Sequence, residues 1–186
     1  MAEAAIAGLR RELPTIERIA EGIAERLRAG GTLYTAGNGG SAAEALHLAE
    51  ELVGRYRSNR PPLRAVCLAA DPTAMTCIAN DFGFENVFAR PCEALLGPAD
   101  VLVLFTTSGR SENIRRAAEV GRKRGAWVVG LLGGDGGETV RQCDVSIIVA
   151  APGRGTGLDA EAALDSAAIQ EAHQVLLHIL CERLER

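Results

Sequence analysis

Five short apolar runs punctuate the chain at Thr32 to Ala36, Arg64 to Leu68, Val101 to Phe105, Trp127 to Leu132 and Val145 to Val149, and a helical stretch separates each from the next. Near-continuous apolar strands of this kind are the pattern of a parallel sheet covered on both faces. Alternation with helices makes each repeat a βαβ unit with a right-handed crossover. The predicted fold class is therefore α/β, with ligands bound at the carboxyl ends of the strands. Ahead of the sheet, Pro14 to Ala29 places Ile16, Ile19, Ala20, Ile23, Ala24 and Leu27 on one helical face and stops at Gly30 and Gly31. Ala2 to Leu13 reads as a shorter helix before it, and Leu158 to Leu184 as one long final helix.

At 186 residues the chain suits one domain, 1–186, divided into an N-terminal helical arm (1–29), a sheet core (30–157) and a C-terminal helix (158–186). A net charge of -4 with no basic block beyond Arg122, Lys123 and Arg124 argues against nucleic acid as a partner. No apolar run approaches the ~20 residues that span a bilayer, and the N-terminus lacks a signal-peptide core, which predicts a cytoplasmic protein with no membrane partner. Five cysteines without a C-x-x-C pair read as mostly reduced core residues. The single lysine, Lys123, lies at a charged helix end, which argues against chemistry that requires a Walker lysine or a Schiff base.

Two strand-to-helix turns are rich in groups that bind anions. Gly37-Asn38-Gly39-Gly40-Ser41 follows the first strand and opens a helix, where free N–H groups and the helix dipole favour a phosphate. Ser41 with Glu44 has the spacing of a capping box. The glycines also fit a dinucleotide fingerprint, but the nearest acid at a second strand end, Asp71, lies well beyond the expected ~20 residues and fits better as a cap before Pro72. The second turn, Thr106-Thr107-Ser108-Gly109-Arg110-Ser111, offers four hydroxyls where one would suffice to cap the following helix, Glu112 to Arg124. A third loop, Gly133 to Gly137, is ambiguous: turn chemistry is enough to account for it, and a ligand-binding role stays open.

His47 and Glu51 stand one turn apart on the helix opened by the first loop, about 5 to 6 Å apart at Cβ, where they can share a proton or a metal. On the last helix Gln170 and His178 lie near enough in rotation to line one groove. His173 points elsewhere and reads as a core or interface residue.

In this order, GNGGSAAEALHLAEELVGRYR, NDFGFENVFAR, TTSGRS and IQEAHQVLLHIL closely resemble the phosphoheptose (sedoheptulose 7-phosphate) isomerases of the sugar isomerase, or SIS, superfamily. The likeness covers roughly Gly30 to Leu184. It implies an αβα sandwich around a five-stranded parallel sheet of flavodoxin-like or Rossmann-like type, and a homotetramer with active sites between subunits. Carried over by position, Asn38, Gly39, Gly40, Ser41, Glu51, Asn80, Asp81, Thr106, Thr107, Ser108, Ser111 and Gln170 contact the sugar phosphate. His47, Glu51, Gln170 and His178 match the positions that bind one Zn2+ per subunit, and Glu51 and His178 match the acid-base pair. The implied reaction interconverts sedoheptulose 7-phosphate and D-glycero-D-manno-heptose 7-phosphate through an enediol, the first step of nucleotide-activated heptose biosynthesis. Eight residues of helix rise ~12 Å, a long span for Gln170 and His178 to reach one ion. Arg110 departs from the small polar residue common at its position. The rival reading is a non-catalytic SIS protein that binds a sugar phosphate or a replication initiator, a branch without equivalents of Glu51 and His178.

Overall fold

The computed structural model describes residues 1–151 and 164–186. Five strands, β1 (Leu33–Gly37), β2 (Ala65–Cys67), β3 (Val101–Thr106), β4 (Trp127–Gly133) and β5 (Val145–Val149), form one parallel sheet in the order β2-β1-β3-β4-β5. All five expected strands are present, with ends shifted by a residue or two.

Side chains alternate across β3 with period two. Val101, Val103 and Phe105 enter a core formed with α1 (Ala2–Gly8), α2 (Leu13–Arg28), α3 (Gly40–Val53) and α7 (Ser166–Leu184). Leu102 and Leu104 enter a second core against α5 (Ala89–Leu95) and α6 (Glu112–Lys123). A helical layer thus covers each face, the αβα sandwich expected from near-continuous apolar strands, while Val66 on β2 and Ile148 on β5 stay partly exposed at the sheet edges.

Three local expectations are corrected. The first helix does not run to Leu13: a 3-10 turn over Leu9–Glu12 intervenes, and α2 begins at Leu13 with Pro14 in its first turn. The capping box at Ser41 does not form, because α3 starts two residues earlier than a Ser41 cap would place it and takes Gly39 as its cap, at φ 56°. Glu44 instead turns into the core, 3.8 Å from the buried His173 imidazole. The last helix begins at Ser166 with Asp165 as its cap, accepting from the Ala168 N–H. Of the earlier start expected at Leu158, 158–163 lie outside the described residues, and Leu164 and Asp165 are not helical.

Asp71 caps α4 (Pro72–Phe82) through the N–H groups of Thr73 and Ala74. That carboxylate is used locally, which removes it from any dinucleotide site. Among the described residues no helix is long and apolar enough to cross a membrane.

Candidate active site

Strands β1 and β3 are neighbours, yet the chain leaves β1 into α3 on one face and β3 into α6 on the other. This divergence opens a crevice at their carboxyl ends, where α/β sheets bind ligands. Both hydroxyl- and glycine-rich loops meet there. The amides of Asn38 and the buried Asn113 exchange two hydrogen bonds, 2.9 and 2.8 Å, and so fix the first loop to the start of α6. Asn113 went unrecognised in the sequence, where a polar residue in a first helical turn is unremarkable.

Within the β3–α6 loop, the Gly109 N–H donates to Thr106 Oγ1 and the Arg110 N–H to Ser108 Oγ. These hydroxyls are held as acceptors, so their own protons remain available to an anionic ligand. Ser111 caps α6 by position without a side-chain bond to the helix, leaving its hydroxyl free for the same use. Ser166 at the start of α7 lies 3.3 Å from the Thr107 hydroxyl.

The second cluster forms where α3 and α7 pack. His47 Nε2 lies 3.1 Å from Glu51 Oε1. The donor atoms of His47, Glu51 and His178 all lie within 4.8 Å of one another, a separation at which one cation could be shared. Gln174, one turn before His178, is the link between the helices: its amide nitrogen is 2.7 Å from His47 Nδ1 and 3.3 Å from His178 Nε2. With that amide donating to Nδ1, His47 carries its proton on Nε2 and donates it to Glu51.

Tyr56 stacks on His178 at 5.5 Å between ring centroids. Its loop is held by Glu185, whose carboxylate accepts from the backbone N–H groups of Tyr56, Arg57 and Ser58. Arg60 donates to the carbonyls of Glu51 and Leu52 and fixes the end of α3. Burial lowers the His178 pKa below the usual imidazole value, with the nearby His47 and Arg57 acting in the same direction and Glu51 against them. His178 is accordingly neutral at pH 7, the form that accepts a proton or ligates a metal.

Gln170 is placed differently from the other expected ligands. Its amide packs against Gly40, where a Cβ would collide with it, at the phosphate-loop end of α7. Within this chain the carboxamide that joins the imidazole cluster is that of Gln174. Asn80 and Asp81 are exposed at the end of α4 and hydrogen-bond to each other at 2.7 Å. The expected core histidine, His173, is fully buried.

The SIS domain family matches residues 3–133, which defines the chain as an SIS-domain protein. It is 40% identical over 171 residues to the phosphoheptose isomerase of Trichlorobacter lovleyi, covering 92% of this chain and 81% of that one. The solved phosphoheptose isomerase structures from Neisseria gonorrhoeae and Francisella tularensis superpose with TM-scores of 0.83 and 0.82 at 33% and 31% identity, covering 99% and 98% of this chain and 92% and 93% of theirs. The chain belongs to the phosphoheptose isomerase family.

Proposed function

We propose that the protein converts sedoheptulose 7-phosphate to D-glycero-D-manno-heptose 7-phosphate, the entry step of nucleotide-activated heptose biosynthesis. The observation that carries this reading is a carboxylate, Glu51, hydrogen-bonded within an imidazole cluster on α3, the helix whose N-terminus opens at the phosphate loop. Ketose-to-aldose isomerisation moves a proton from C1 to C2 and exchanges protons between the two oxygens. Glu51 takes the C1 proton to give the enediol and, after that proton exchanges with solvent, delivers a proton to C2. His178 moves the proton between O2 and O1. The hydroxyls of Thr106, Thr107, Ser108 and Ser111, with the backbone of Asn38, Gly39 and Gly40, hold the phosphate, and Ser41 supports their loop. Anchoring that end fixes C1 and C2 relative to the acid-base pair. NMR of the purified protein with sedoheptulose 7-phosphate tests the assignment: the aldose heptose 7-phosphate is expected, and an unchanged ketose contradicts it.

The donor set of two imidazoles and a carboxylate fits zinc. His47, Glu51 and His178 would hold it, with Gln170 as the fourth residue expected by resemblance and Gln174 the carboxamide nearer the cluster. When bound, zinc supplies Lewis-acid polarisation of substrate oxygens. Elemental analysis after purification without chelator is expected to give about one zinc per chain, in keeping with the single three-donor cluster among the described residues. Absence of zinc together with chelator-insensitive turnover would reject the assignment.

A homotetramer with intersubunit sites is supported by surface that one chain leaves uncovered. Helix α4 has no buried residue despite carrying Met75, Ile78 and Phe82, and Leu46 and Val53 on α3 are about half exposed. Covering α4 with a neighbour would carry Asn80 and Asp81 into an adjoining site. Light scattering is expected to give four times the 19.6 kDa chain mass; a monomer mass would contradict it.

A further inference from the structure

The β3–α6 loop carries a feature that the isomerase reading does not use. Arg110 projects from the middle of it and meets Asp135 of the Gly133 to Gly137 loop in a two-pronged ion pair, 2.9 and 2.8 Å. The pair stands at a cleft of about 820 Å³ that Ser108 and Ser166 also line, and Arg110 is the one cation lining it among the described residues.

Both loops beneath the pair are fixed. Thr139 donates to the Gly109 carbonyl through its backbone N–H and its hydroxyl. The Gly137 N–H donates to Asp135, and this bond, helped by Arg110, holds the Asp135 carboxyl below its usual pKa. The ion pair itself is 60% and 68% exposed. A pair so exposed adds little to stability, so holding the fold together does not explain it.

Charge gives it a use. The hydroxyls and amides of the loop are neutral, whereas the ligand they suit is a phosphate dianion. Glu112, in the first turn of α6, is ionised, with its pKa lowered to about 2 by hydrogen bonds from Arg115 and Arg116, and these two cations are thereby occupied. Arg110 engages Asp135 with two of its five N–H donors and has three left.

We propose that Arg110 is a phosphate-positioning and specificity-determining residue, with Asp135 parking its guanidinium at the cleft mouth until the substrate's phosphate arrives. This rests on the isomerase reading for the identity of the substrate. It makes Arg110 the charged complement to a site whose other donors among the described residues are neutral, selecting phosphorylated sugars over free ones.

The test compares Arg110→Ala, Arg110→Lys and Asp135→Asn with the unmodified protein, measuring KM and kcat for sedoheptulose 7-phosphate and, by calorimetry, the Kd of inorganic phosphate. Losing a charge-assisted hydrogen bond is expected to raise KM and the phosphate Kd about tenfold in Arg110→Ala while kcat falls less than about threefold. Arg110→Lys returns the charge and should recover most of the loss. Asp135→Asn breaks the clamp but keeps the cation, so KM should stay within about threefold of the unmodified value. If Arg110→Ala leaves both constants within twofold, or Asp135→Asn matches it, the proposal falls and the pair is only a clamp. If phosphate binding depends on Arg110 but sedoheptulose 7-phosphate is not turned over, the Arg110 assignment stands and the isomerase reading fails.

Discussion

Glu51→Gln is expected to lower kcat for sedoheptulose 7-phosphate isomerisation by about a thousandfold, the middle of the range for a positioned general base. The substitution keeps the shape of the side chain and its ability to accept from His47 Nε2, so the 3.1 Å contact and the α3–α7 packing persist. What it removes is basicity at the carbon and, with it, the anionic donor of the proposed zinc set. KM should change little, because the phosphate is held by the loops after β1 and β3, at the other end of α3. His178→Gln should cost a similar factor. Near-normal turnover in both variants, measured by progress curves at saturating substrate, would defeat the proposed acid-base pair.

The largest expected effect on stability comes from Gly109→Ala. Gly109 sits at φ 65°, a conformation that costs an L-residue about 1–2 kcal/mol, and its carbonyl receives both Thr139 bonds. A Cβ there would also overlap the Gly136 carbonyl and the Gly137 nitrogen, which are backbone atoms and cannot rotate aside. Strain and displacement together should destabilise the fold by about 3 kcal/mol, read as a lower urea midpoint with unchanged slope. Gly8→Ala is the matched control. It lies at the end of α1 with open space around it and should leave stability the same or slightly higher. An equal loss in both variants would show that the contact between the two glycine-bearing loops is not the cause.

The sheet was readable from sequence because burial on both faces imposes a signal that polar substitution cannot imitate. A run such as VLVLF could also belong to a buried helix by periodicity alone; its shortness, its valines and the turn residues Thr106 to Ser111 that follow it decide for a strand. The Asp71-Pro72 start of α4 was readable for a local reason, since the carboxylate and the N–H groups it accepts from lie within three residues. Ser41 and Glu44 had an equally good local pattern and failed. Gly39 could adopt a positive φ and begin α3 earlier, and packing against α7 took Glu44 inward.

The candidate site divides in the same way. His47 and Glu51 are paired by one turn of one helix, which spacing alone predicts. Whether Gln170 or Gln174 approaches His47 depends on how α7 crosses α3, a tertiary relation invisible to spacing within either helix. The Asn38–Asn113 exchange and the Arg110–Asp135 pair are likewise contacts between loops far apart in sequence, joined only when β1, β3 and β4 align.

Isomerisation in deuterium oxide tests the central claim most directly. With sedoheptulose 7-phosphate and the zinc-loaded protein, proton and phosphorus NMR should show the aldose heptose 7-phosphate forming with deuterium at C2, because a proton held on Glu51 between C1 and C2 exchanges with solvent. Failure to form the aldose under these conditions, or an aldose retaining the C1 hydrogen quantitatively at C2 as in a direct hydride shift, would contradict the proton-transfer account.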